Sequence, residues 1–79
     1  MADYTADRTL DTSGLKCPMP VVKTSQEIKK IELGQVLELQ ATDPGSVADM
    51  IAWCKSTGNE LLDRVNDNGT FKFYIRRTK

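Results

Sequence analysis

The strongest nucleophiles in this sequence are its two cysteines, Cys17 and Cys54, and no histidine accompanies them. A Ser-His-Asp triad, a Cys-His dyad and a His-ligated metal site are therefore excluded within the chain. Standing 37 positions apart, the cysteines form neither a C-x-x-C dithiol nor a Cys₄ zinc site. What remains is the chemistry of a single thiol, whose thiolate attacks or accepts sulfur. Cys17 lies in Lys16-Cys17-Pro18-Met19-Pro20. Proline suits the opening turn of a helix, where its missing N–H would be unpaired anyway. Cys17 is thus expected at a helix N-cap, its sulfur facing free amides and the positive end of the helix dipole, which lowers a thiol pKa. Lys16 adds positive charge, and the Pro-X-Pro opening fixes the orientation. These first-turn prolines are expected to add nothing to the packed core. The competing reading of Cys17 is a small buried hydrophobe at the end of a loop, a common place for a free cysteine. Lys16, Pro18 and Pro20 favour the reactive reading.

The elements that must position this residue follow from periodicity. Residues 1–7 read as a polar, flexible tail and 8–79 as one domain. A short strand over 8–12, anchored by Leu10, leads into the loop Asp11-Thr12-Ser13-Gly14, where Asp11 reads as a turn residue. A helix is expected from Pro18 to about Ile31, with Val21, Ile28 and Ile31 inward and Lys23 outward. Gly34 ends that segment, and a strand follows over 35–42. Asp43-Pro44-Gly45-Ser46 opens a second helix, with Asp43 as N-cap and Pro44 at the first helical position. Its apolar stripe is Val47, Met50, Ile51 and Cys54, so Cys54 reads as a buried core thiol and Trp53 as a partly exposed packing residue. Gly58-Asn59 stops the helix. Strands over 60–65 and 70–76 flank Asn66-Asp67-Asn68-Gly69, a tight-turn sequence. In the last strand Phe71, Phe73 and Ile75 face inward, and Lys72, Tyr74 and Arg76 face water. The fold class is an α/β two-layer sandwich, β-α-β-α-β-β, with two helices on one face of a four-stranded mixed sheet.

Composition limits the partners. At 79 residues the chain has room for one domain. Eleven Lys+Arg balance eleven Asp+Glu, which argues against direct nucleic-acid binding. No apolar run approaches the roughly 20 residues needed to cross a bilayer, and the N-terminal stretch lacks the apolar core of a secretory signal. A cytoplasmic protein with reduced thiols is expected, with no membrane partner. Lys72, Tyr74, Arg76, Arg77 and Lys79 form a local basic edge: a solvated strand face by default, with partner docking, extended by Lys23, as the alternative.

The segment Leu10-Asp11-Thr12-Ser13-Gly14-Leu15-Lys16-Cys17-Pro18-Met19-Pro20 resembles the signature of the TusA family of small sulfur carriers, also called SirA-like. The resemblance extends through Ala41-Thr42-Asp43-Pro44-Gly45-Ser46, Ala52-Trp53-Cys54 and Thr57-Gly58-Asn59-Glu60-Leu61-Leu62. It implies the same two-layer sandwich. It also implies that Cys17 accepts sulfane sulfur as a persulfide and passes it to another protein's cysteine, without metal or organic cofactor. Donors in the family are cysteine desulfurases or rhodaneses, and acceptors serve tRNA thiolation, molybdenum-cofactor synthesis or sulfur oxidation. A sulfurtransferase-type carrier of this kind differs from a stand-alone enzyme, because its partners supply much of the catalysis.

Two other classes fit the residues. An RNA- or protein-binding regulatory module would act through the basic edge and survive loss of Cys17. A thiol redox sensor would form a sulfenate or disulfide at Cys17, the latter with Cys54 only if the Cα atoms approach within about 7 Å.

Overall fold

A computed structural model describes residues 6–79 of the chain; the tail expected over 1–7 lies largely outside the described residues. Asp7 is already tied to the sheet: its N–H donates to the Val36 carbonyl at 2.8 Å and its carboxylate accepts the Val36 N–H at 2.8 Å. The elements are β1 (Arg8–Thr12), α1 (Met19–Glu27) with a 3₁₀ turn (Ile28–Lys30), β2 (Val36–Ala41), α2 (Gly45–Thr57), β3 (Glu60–Asp67) and β4 (Thr70–Arg76). Their order is the one expected from periodicity.

The sheet runs β1-β2-β4-β3. β1 lies parallel to β2, with Leu10 opposite Leu39 and Thr12 opposite Ala41. β4 pairs antiparallel with both β2 and β3. Leu37, Leu39 and Ala41 of β2 alternate inward with Phe73 and Ile75 of β4, and all are buried. They form one core with Ile28, Ile31, Met50 and Cys54, so both helical segments cover the same sheet face. The β3–β4 connection turns at Asn68-Gly69, where both residues have positive φ (52° and 89°). Those angles are what a type I′ hairpin turn requires and what Asn-Gly adopts most readily.

Four expectations need correction. The first helix does not run unbroken to Ile31. It tightens to 3₁₀ at Ile28, and Ile31 is extended yet buried. Ile51 is 41% exposed, because α2 leans on the sheet through Ser46, Met50 and Cys54, a narrower i, i+4, i+8 line. Pro20 is fully buried together with Thr24, one turn later. The opening prolines therefore do contribute packing. Tyr74 points away from the helices but is only 9% exposed. Glu38 and Asp63 flank it on the neighbouring strands. Burial raises its phenol pKa, helped by the Glu38 carboxylate, to which it is hydrogen-bonded, and by Asp63. That sheet face is therefore not uniformly wet. No helix among the described residues is long and apolar enough to cross a membrane.

Candidate functional site

Because β1 and β2 are parallel, the segments that leave them emerge at the same end of the sheet. The segment after β1 carries Cys17 into α1; the one after β2 carries Asp43 into α2. Side chains tie the two loops together. Thr12 Oγ1 donates to the Gln40 carbonyl at 2.6 Å, and the Gly14 N–H donates to Thr42 Oγ1 at 2.8 Å. Asp11 accepts the Ser13 N–H at 2.9 Å, the turn role expected of it. The Cys17 N–H donates to Asp43 Oδ2 at 2.8 Å.

That last bond corrects the reading of Asp43. Pro44 is the N-cap of α2, and the Asp43 side chain makes no cap; it holds the backbone of Cys17. The Asp43 carbonyl serves the helix start instead, accepting from Ser46 N–H at 3.0 Å and Ser46 Oγ at 2.7 Å. Gly45 permits the approach. A methyl group built on it would lie 3.3 Å from Asp43 Oδ2 and 3.5 Å from Cys17 Cβ.

Cys17 is not the N-cap expected of it: it sits one position earlier, since Pro18 is the N-cap of α1. The Cys17–Pro18 peptide is cis. The thiol is exposed and free, and its S–H donates to Asp49 Oδ2 on α2. This reverses the expected direction of its pKa. The Asp49 hydrogen bond raises it most, and the charges of Asp49 and Asp43 add to the effect. Lys16 does not offset them. Its carbonyl accepts the Met19 N–H at 2.8 Å, while its side chain forms no ion pair among the described residues. In the free protein, therefore, Cys17 is a protonated thiol held by a carboxylate.

The thiol opens onto a groove of about 410 Å³ between α1 and α2, lined by Pro18, Val21, Asp49, Ala52, Trp53 and Ser56. Apart from Asp49, Ser56 and the Trp53 indole N–H, the side chains around the thiol are carbon. Asp49, Ala52, Trp53 and Ser56 fall at i, i+3, i+4 and i+7, so one face of α2 builds the wall while the adjacent face holds the core. That second stripe was a readable signal for Asp49 and Trp53, which motif reasoning passed over. Leu15, Met19 and Val22 add exposed apolar surface on the α1 side, at 36%, 38% and 39%.

Of the other expected residues, Pro18 lines the groove, and Pro20 is buried in the first turn of α1 and does not line it. Cys54 is buried among the core residues, and burial pushes its thiol up to about 11. The two thiols are not joined. The basic edge is largely engaged within the chain. Lys72 pairs with Asp67 at 3.7 Å, and Arg76 pairs with Glu60. Arg77 donates to the carbonyls of Ile31 (2.5 Å) and Lys79 (2.8 Å). Lys23 is exposed but lies outside the groove.

Comparison with known proteins identifies the family and the fold. The profile of the family described as Sulfurtransferase TusA matches residues 8–77. The sulfur carrier protein TusA of Allochromatium vinosum is 45% identical over 78 residues, covering 99% of this chain and 100% of that protein. The protein of the same name from Pseudomonas putida is 40% identical over 77 residues, covering 98% and 96%. A crystal structure of a SirA-like protein from Desulfitobacterium hafniense superposes with a TM-score of 0.78, covering 91% of this chain and 99% of that one. At 22% identity, that likeness speaks for the fold alone.

Proposed function

Because this chain belongs to the TusA family of sulfur carriers, we propose that it relays sulfane sulfur as a persulfide on Cys17. The observation that carries the reading is the exposed thiol at the mouth of an apolar groove, with the second cysteine buried. In loading, the Cys17 sulfur attacks the outer sulfur of a donor persulfide. A sulfur–sulfur bond forms to Cys17 as the donor's breaks. Written with protons, R–S–S⁻ and Cys17–SH give R–SH and Cys17–S–S⁻. Delivery runs the same exchange toward an acceptor cysteine. No net oxidant or reductant is consumed in either direction.

The site suits a charge that moves outward by one atom. In the thiol, the sulfur faces Asp49. In the persulfide, the negative charge resides on the added sulfur, one atom beyond the sulfur that faces Asp49 and on the side open to the groove. We assign the donor role to a cysteine desulfurase or rhodanese. The acceptor is a cysteine protein of tRNA thiolation, molybdenum-cofactor synthesis or sulfur oxidation. The cytoplasm would keep the thiol reduced between transfers.

The test is intact mass after incubation with a cysteine desulfurase and cysteine. The wild-type and Cys54→Ala proteins are expected to gain one sulfur atom, and Cys17→Ser none. A gain that persists in folded Cys17→Ser protein rules the reading out.

A further inference from the structure

A carbon-lined groove at a reactive thiol needs no ionised carboxylate for packing, yet Asp49 stands in its wall with one oxygen on the Cys17 S–H. Asp49 is not needed to build α2. It caps nothing and forms no ion pair among the described residues. In the free protein its position is counterproductive for a nucleophile, since a carboxylate beside a thiol opposes thiolate formation. The charged groups facing the thiol are Asp49 from α2 and Asp43 from the preceding loop, both acidic. Asp43 is committed to the Cys17 backbone amide; only Asp49 touches the sulfur.

Resting on the persulfide reading above, we propose that Asp49 is a catalytic residue of sulfur transfer: it takes the Cys17 thiol proton as the donor's persulfide is attacked, and passes that proton to the departing donor thiolate. The balance is then complete. Cys17–SH loses H⁺ to the Asp49 carboxylate as the sulfur–sulfur bond forms, the donor sulfur leaves as R–S⁻, and the Asp49 carboxylic acid returns H⁺ to give R–SH. In delivery the same carboxylate takes the proton of the acceptor thiol and restores it to Cys17.

The open groove explains how one carboxylate serves both a quiet and an active state. While the groove is open, Asp49 holds the Cys17 thiol through its S–H. A partner surface that covers the groove walls brings the donor or acceptor sulfur beside the same carboxylate, so the proton has a recipient only when a partner is docked. Untimely reaction with small electrophiles is suppressed by the same group.

The experiment measures two rates on the full-length wild type, Asp49→Asn and Asp49→Glu: alkylation of Cys17 by iodoacetamide, and single-turnover sulfur loading from a persulfidated cysteine desulfurase. Alkylation needs only the thiolate, so Asp49→Asn is expected to accelerate it several-fold at neutral pH. Loading is expected to slow about tenfold or more, given the ~10²–10⁴ that a positioned acid–base group contributes and the partial offset from added thiolate. Asp49→Glu, which keeps the carboxylate, is expected to recover most of the loading rate. Loading by Asp49→Asn at or above the wild-type rate overturns the assignment. So does an equal slowing of both reactions in both variants, which is the mark of a merely distorted site. A wild-type protein that never gains sulfur refutes the persulfide reading itself, and the role of Asp49 falls with it.

Discussion

Replacing Cys54 by alanine is expected to destabilise the protein at neutral pH and to stabilise it at high pH. Cys54 is 5% exposed and packs in the core with Met50, Leu37 and Phe73. Removing its sulfur leaves a small cavity and costs about 1 kcal/mol at pH 7. Burial also raises its thiol from 9.0 to about 11. The sign follows from proton counting. Between these values the unfolded chain has released the proton and the folded chain retains it, so stability falls as pH rises. The contribution is fully present below pH 9.0 and lost as pH climbs toward about 11. A span of that size is worth about 2.7 kcal/mol at 1.36 kcal/mol per pH unit. Because 2.7 exceeds 1, the stability curves of Cys17→Ser and Cys17→Ser/Cys54→Ala should cross, at roughly pH 10. Urea unfolding of the two proteins at intervals from pH 7 to 10.5 reads this directly. Titrations shared by both, Tyr74 included, cancel in the difference. A difference that stays constant over the whole range would falsify the claim that Cys54 is sealed from water.

Alkylation of Cys17 in the Cys54→Ala protein should show a midpoint above the ordinary thiol value of 9.0; a lower midpoint would mean that the adjoining helix starts outweigh Asp49 and Asp43. Pro20→Ala should cost about 1–2 kcal/mol in urea unfolding, because it removes buried ring atoms and frees the unfolded chain. An unchanged unfolding midpoint would contradict the full burial of the Pro20 ring. Asp43→Ala should speed hydrogen exchange of the Cys17 amide about tenfold, as expected for losing a bond worth ~1–1.5 kcal/mol; unchanged exchange would show that the loop is held by other means. Gly45→Ala should produce a smaller effect in the same direction, since the added methyl pushes on the Asp43 carboxylate.

Much of this architecture was legible because the local signals agree with one another. Alternation in Phe71-Lys72-Phe73-Tyr74-Ile75, the Asn68-Gly69 turn and the Gly58 stop each specify a local geometry that tertiary packing had no reason to override. The exposed position of Cys17 was legible for a different reason: a cysteine just before two prolines lies where a helix opens, away from the core. Its environment was not legible. Asp43 before a proline reads as a helix cap, and nothing local reveals that its carboxylate turns to an amide 26 residues away. Asp49 lies on a helix whose apolar stripe draws attention to the neighbouring face. The thiol pKa was misjudged accordingly, because helix ends are visible in sequence and facing carboxylates are not. Tyr74 shows the same limit on the sheet: alternation assigns its direction, but its cover comes from Glu38 and Asp63 on other strands.

The parallel pairing of β1 with β2 sets more than the core. Strand register advances in steps of about 3.3 Å, and Thr12 opposite Ala41 is the last pair before both chains leave for the site. A one-step slip would shift the Cys17 loop past the Asp43 loop by that amount and turn Leu10 and Thr12 out of the interior. The S–H to carboxylate contact tolerates no such displacement. The alignment of the Cys17 thiol with the Asp49 carboxylate is thus inherited from hydrophobic complementarity at Leu10, Leu37 and Leu39, none of which lines the groove. Sulfur-transfer rate in this protein should therefore respond to repacking of its interior, and a library of core variants sorted by alkylation rate would map that dependence without altering a single groove residue.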